Sequence, residues 1–325
     1  MRQNNPSTFR HTSCRSLCWK SRAAVTRSEK RHRRRRPRGK TVMGGSVEQI
    51  SASKCFECQV LRFQHTSPAL GGTLAKFHLI LPPKAESQSV PCLIWLSGLS
   101  CTDENFVFKA APYKAAAEHG VAILVPDVSP RGIDDEFGSS AGFYVDATVP
   151  EYKTNYNMYT YCTEELPNLI KSEFADSVDL SRCSIFGHSM GGHGALVIAL
   201  KNPSKFRSVS AFAPILNPVN CPWGVKYFSG FLGSDHEAWK AYDATELIRS
   251  AGKLVFAAPI LVDQGDKDGF LEQGQLLPSN FEHACAEAGQ PLLLNYRPGY
   301  DHGYFFISTF IADHIAHHAN ILNSA

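Results

Sequence analysis

Residues 183–194 read Cys-Ser-Ile-Phe-Gly-His-Ser-Met-Gly-Gly-His-Gly, and inside them Gly187-His188-Ser189-Met190-Gly191 forms a G-x-S-x-G pattern. The apolar run Cys183 to Phe186 precedes it, and a helical-looking segment from Gly191 to Lys201 follows. A strand that turns sharply into a helix forces the residue at the turn into a strained conformation with its side chain projecting. Glycines two places before and after leave room where a Cβ would collide. A pattern with three fixed positions recurs by chance in many proteins, so the strand before and the Ala/Leu-rich helix after are what give this one weight. Ser189 is the candidate nucleophile. The backbone N–H of Met190, which opens the helix, would face the oxygen of a bound carbonyl.

Strand and helix signals alternate on both sides of this unit. Upstream, Gly72 to Pro83 alternates and stops at paired prolines, and Val90 to Leu96 (VPCLIWL) is an almost unbroken apolar run ending in a small-residue loop, Ser97 to Thr102. A helix is expected over Asn105 to His119, a buried strand over Val121 to Val125, and a helix over Met158 to Phe174, with the unpatterned insertion Ser129 to Tyr156 as a rim. Downstream, strands are expected at Val209 to Ala213, Pro259 to Val262 and Pro291 to Tyr296. Helices are expected at Trp239 to Ser250, Leu277 to Ala288 and Tyr304 to Leu322, with Asn217 to Asp235 read as irregular. Apolar strands alternating with helices predict a mostly parallel α/β sheet with helices on both faces, in a single domain from 46 to 325.

In such sheets reactive groups gather at the carboxyl ends of the strands. Ser189 follows one strand, an acidic loop with Asp263, Asp266 and Asp268 follows the next, and His302 follows the last. Serine, aspartate, histidine is the chain order of the α/β-hydrolase fold. His302 would take the serine proton through one ring nitrogen while an aspartate fixes its tautomer through the other, and the residues alone do not choose among the three aspartates. His188 and His193 are expected to pack or bond locally, and His314, His317 and His318 to mark a solvated helix face and not a metal site. Gly98 allows close backbone approach, so the N–H of Leu99 is assigned as the second oxyanion donor, with Met190. Cys101 has no separate base in view, which makes it a pocket-side thiol and not a second nucleophile. Trp223 reads equally as a pocket wall or a packed indole.

Residues 1–42 hold 14 of the 33 Lys and Arg but only one of the 30 acids, so the remainder carries 19 bases against 29 acids, a net of −10. The 1–45 segment, with its block Arg31 to Arg36, cannot bury enough apolar surface to fold and is expected to be disordered. Organelle transit, a nucleic-acid or nuclear-targeting patch, and a start at Met43 with no role for the leader all remain open for it. No apolar run reaches about 18 residues, so no membrane span is expected. The ten cysteines are scattered and several sit in apolar segments, which fits a reducing, cytoplasmic setting, and Cys55-x-x-Cys58 lacks the second pair a zinc site needs. Glu48 stands where a myristoylation signal starting at Met43 would need Ser or Thr.

Longer strings carry a family resemblance. WLSGLSCTDENF (95–106), GHSMGGHGAL (187–196), NPVNCPWG (217–224), AYDAT (241–245), GQLLPSNF (274–281) and GYDHGYFFI (299–307) resemble S-formylglutathione hydrolases, also called esterase D, from about residue 50 to the C-terminus. The resemblance implies a triad of Ser189, Asp268 and His302. The acidic loop differs from some members, because Asp266-Lys267 swaps acid and base within the family's D-Q-G-x-x-D pattern. It further implies hydrolysis of S-formylglutathione to formate and glutathione through an acyl-enzyme, with no metal or cofactor, no nucleic-acid or membrane partner for the domain, and a homodimer left open. A general short-chain carboxylesterase is the alternative within the class. An anionic tripeptide is not drawn to a body of net charge −10, so local Lys or Arg at the rim must supply the attraction.

Overall fold

The computed structural model describes residues 47–133, 137 and 140–324. The basic segment 1–45 and the acids at 134–136 lie outside the described residues. Among those described, nine strands make one sheet: β1 (Glu48–Cys55), β2 (Cys58–Ser67), β3 (Thr73–Leu81), β4 (Val90–Leu96), β5 (Ala122–Pro126), β6 (Val178–His188), β7 (Val209–Phe212), β8 (Ile260–Gly265) and β9 (Leu292–Arg297). Their order is β1-β2-β3-β5-β4-β6-β7-β8-β9. The first three strands and β5 pair antiparallel, and every pair from β5 to β9 is parallel. Every residue of β4, β5, β7 and β8 is buried, as continuous apolar strands require when helices cover both faces.

The two faces can be read on β7. Ala211 meets Gly192 of the helix Met190–Lys201, whereas Ser210 on the opposite side bonds to His314 and His318 of the terminal helix Tyr304–Asn323. Trp95 anchors the centre of β4: its ring is fully buried against Phe106 and Phe186, and its Nε1–H donates to Ser97 Oγ at 2.9 Å. A packed, hydrogen-bonded indole of this kind is worth several kcal/mol of stability. It fixes the strand end from which the Ser97–Thr102 loop departs.

Several local expectations need correction. The β1–β2 hairpin carried no expectation at all; Cys55 and Cys58 are its closing pair, and Phe56 and Glu57 take φ of 47° and 61°, as a two-residue type I′ turn demands. The C-x-x-C spacing is thus a turn, and both thiols are free. The single helix expected over 105–119 is two, Asp103–Lys109 and Tyr113–His119, because Pro112 follows Ala111, whose φ is 53°. Asp243 interrupts the helix expected over 239–250 by capping Ala244–Ala251, accepting from the Glu246 N–H at 3.0 Å. The stretch read as irregular contains the helix Pro222–Leu232, opened by proline in its first turn and by Cys221 Sγ accepting from the Gly224 N–H.

The terminal-helix histidines do not face solvent as expected. His314 and His318 are completely buried, in a chain of hydroxyls and imidazoles: Ser184 to Ser208 at 2.7 Å, Ser208 to His318 Nδ1 at 2.7 Å, Ser210 to His318 Nε2 at 2.7 Å, and Ser210 to His314 Nδ1 at 2.8 Å. No helix of the described residues is long and apolar enough to cross a membrane.

Candidate active site

The nucleophile turn is built by close approach. A Cβ on Gly187 would strike the Gly191 carbonyl, and one on Gly191 would strike the Leu96 carbonyl of β4. Between them Ser189 sits at φ 57°, ψ −120°, a conformation that costs on the order of 1–3 kcal/mol and persists only where surroundings over-determine it. They do so here: the Ser189 N–H donates to the Phe212 carbonyl at 2.9 Å, and the Ser189 carbonyl accepts from the His193 N–H at 3.0 Å and the Ile215 N–H at 3.3 Å. The sharp strand-to-helix turn expected from the sequence is therefore present at Ser189, held from β7 and from its own helix.

The three loop aspartates have separate partners. Asp263 accepts from Asn295 Nδ2 at 2.9 Å and Arg297 Nε at 2.7 Å. Asp266 is exposed and accepts from the Gly299 N–H at 2.6 Å, which ties the acidic loop to the histidine loop. Asp268, completely buried, lies 2.6 Å from His302 Nδ1 through Oδ2, which also accepts from Gln264 Nε2 at 3.0 Å; its Oδ1 accepts from the Phe270 N–H at 2.8 Å. Burial works to raise the Asp268 carboxyl, but His302, the Phe270 amide and Gln264 outweigh it and hold the carboxyl below its ordinary value. The residue thus stays an anion placed to receive the Nδ1–H of His302.

The His302 ring is clamped on two sides. Its centroid is 4.5 Å from that of His188, the residue before Ser189, and 4.7 Å from Phe270, which meets it edge-on. Burial, and then the charge of His302, push His188 well below the usual imidazole range, so it stays neutral. Neither contact was foreseen; His188 could have been, because its place beside Ser189 turns it toward whatever loop faces the elbow. Phe270 had no signal. Trp223, half-buried on its helix, packs 4.7 Å from Phe270 and so reaches the site at second hand, while its backbone N–H donates to Gln275 Oε1 at 3.0 Å.

On the other side stands the loop after β4. A Cβ on Gly98 would come within 3.2 Å of Ser189 Cβ and of His188 Nδ1, so the loop lies directly against the elbow. Neither the Leu99 N–H that follows nor the Met190 N–H donates to an acceptor among the described residues. Cys101 closes the loop, its N–H donating to the Gly98 carbonyl at 3.2 Å, and burial pushes its thiol up, away from the thiolate a nucleophile needs. Arg131 also pins this loop: it pairs with Asp127 at the end of β5 and donates to the Cys101 carbonyl at 2.9 Å and to Ser140 Oγ at 2.7 Å. Among the described residues no group of His, Cys, Asp and Glu is arranged to hold a metal.

A mostly parallel sheet with a serine on a strained turn after its central strand is the architecture of the α/β-hydrolase class. A family described as a putative esterase matches residues 67–317. The S-formylglutathione hydrolase of Rattus norvegicus is 54% identical over 288 residues, covering 86% of this chain and 99% of that protein, and the Arabidopsis thaliana one is 49% identical with the same coverage. A solved S-formylglutathione hydrolase from Agrobacterium tumefaciens aligns with a TM-score of 0.81 at 43% identity, over 84% of this chain and 99% of its own. The chain belongs to the S-formylglutathione hydrolase family.

Proposed function

We propose that the protein hydrolyses S-formylglutathione to formate and glutathione, with Ser189 as nucleophile, His302 as general base and acid, and Asp268 as the carboxylate that orients it. Family membership across 86% of the chain carries the substrate. The 2.6 Å contact between Asp268 and His302 supports the roles. His302 Nε2 takes the Ser189 hydroxyl proton as Oγ attacks the thioester carbonyl, and the resulting oxyanion is received by the Leu99 and Met190 amides. The thiolate leaves with the proton from His302, and water deprotonated by the same ring then releases formate from the acyl-enzyme. Every proton passes through one imidazole, so no metal or cofactor enters the scheme.

Cys101 and Trp223 are read as pocket-side residues, and the domain as 46–325, acting in the cytoplasm behind a basic 1–45 leader. Comparing kcat/KM for S-formylglutathione and a short aryl ester tests the assignment. The thioester should be preferred by orders of magnitude; a large preference for the aryl ester would make the protein a general carboxylesterase instead.

A further inference from the structure

The catalytic domain carries a net charge of −10, and the substrate proposed above is an anionic tripeptide, so a local cation must offset the repulsion at the mouth of the site. The arginines nearby are already neutralised: Arg62 by Asp103 and Glu104, Arg131 by Asp127, and Arg297 by Asp263. Lys109 is different. It is the last residue of the helix that follows the Leu99 loop, is exposed, and pairs with no carboxylate among the described residues. Its Nζ stands 5.6 Å from the ring centroid of Tyr304, two residues after His302, and the Tyr304 ring is 6.2 Å from that of His188. Its charge also acts on the Cys101 thiol beside Gly98.

We propose that Lys109 is the specificity-determining cation of the site, receiving a terminal carboxylate of the glutathione moiety while the thioester lies at Ser189; this rests on the S-formylglutathione reading. The Tyr304 face holds the ammonium over the rim, as a cation held against an aromatic ring is, without neutralising it. An extended tripeptide spans about 10 Å, the scale of the steps from the His188 ring to the Tyr304 ring at 6.2 Å and from that ring to Nζ at 5.6 Å. Charge pairing at an open rim acts mainly on association and weakly on chemistry, so its mark is in KM.

The test compares S-formylglutathione with S-formyl-N-acetylcysteamine, the same thioester without carboxylates, in the full-length protein and its Lys109→Met, Lys109→Arg and Lys109→Glu variants. Methionine keeps the stem packed on Tyr304 and removes only the charge. The ratio of kcat/KM for the glutathione thioester over the neutral one should fall about tenfold in Lys109→Met and further in Lys109→Glu, recover in Lys109→Arg, and shrink in the unmodified protein as salt rises from 0.05 to 0.5 M. A ratio within twofold of the unmodified protein in Lys109→Met would overturn the inference while leaving the function intact. Failure of the unmodified protein to hydrolyse S-formylglutathione would overturn the function, and the inference with it.

Discussion

Two aspartates leave the end of β8, and each faces an imidazole from the C-terminal segment, yet the two pairs do opposite things. Asp263 is saturated by Asn295 and Arg297, and His314 lies 3.7 Å from it, sealed under the sheet with its other nitrogen on Ser210. Asp268, by contrast, meets no guanidinium: its partners are amides and one imidazole, and that imidazole keeps 16% of its side chain in contact with solvent beside the elbow. The same two residue types thus make a buried structural polar network in one place and, in the other, the couple proposed to move the serine proton. What separates them is whether an arginine already satisfies the carboxylate and whether the second ring nitrogen is sealed by a hydroxyl or open to the site.

The largest effect expected is Ser189→Ala, which should lower kcat on S-formylglutathione by about 10⁶-fold while leaving the melting temperature in place, because the sealed network is untouched. Unchanged hydrolysis would remove the serine from the mechanism.

A smaller effect sharpens the contrast from the other side. Burial lowers the pKa of His188, His314 and His318, and lowers that of His193 to about 4. A folded-state value below the unfolded one means the unfolded chain binds more protons. Stability is therefore full above the unfolded imidazole value near 6.5 and declines as pH falls through it, by about 1.4 kcal/mol per pH unit for each such histidine. His318→Gln, in which the amide can still meet Ser208 and Ser210, should flatten the fall between pH 6.5 and 5.5 by about that amount per unit in urea unfolding. An unchanged slope would show that His318 is not buried neutral.

How much of this was legible follows the same division. The central strands β4 and β5 could be read because burial on both faces leaves an unbroken apolar run, and the serine turn because its glycines are forced by backbone contacts at fixed offsets. The β1–β2 hairpin was not legible: β1 is exposed along almost its whole length, so its sequence EQISASKC carries no alternation to find. His314 and His318 looked like a polar helix face because their partners, Ser208 and Ser210, lie about a hundred residues away and nothing in the local pattern announces them. The residues alone left Asp263, Asp266 and Asp268 open and only the resemblance pointed to Asp268, because their partners, Arg297, the Gly299 N–H and His302, come from a distant segment that the fold brings beside them. The helix at Pro222 was hidden by glycines at 224 and 230, which weaken a helical pattern that tertiary packing then restores.

The most direct measurement sets Asp268→Asn beside Asp263→Asn, reading kcat on S-formylglutathione and unfolding free energy for both. Asp268→Asn should lower kcat by about 10⁴-fold, since an amide no longer fixes the His302 tautomer, with a modest loss of stability. Asp263→Asn should keep kcat within a fewfold and lose on the order of 2–3 kcal/mol, less than a fully buried pair would lose because Arg297 keeps 25% of its side-chain surface in water. Comparable kcat in the two variants, or the larger loss of kcat in Asp263→Asn, would contradict the assignment of Asp268 and His302 as the working couple.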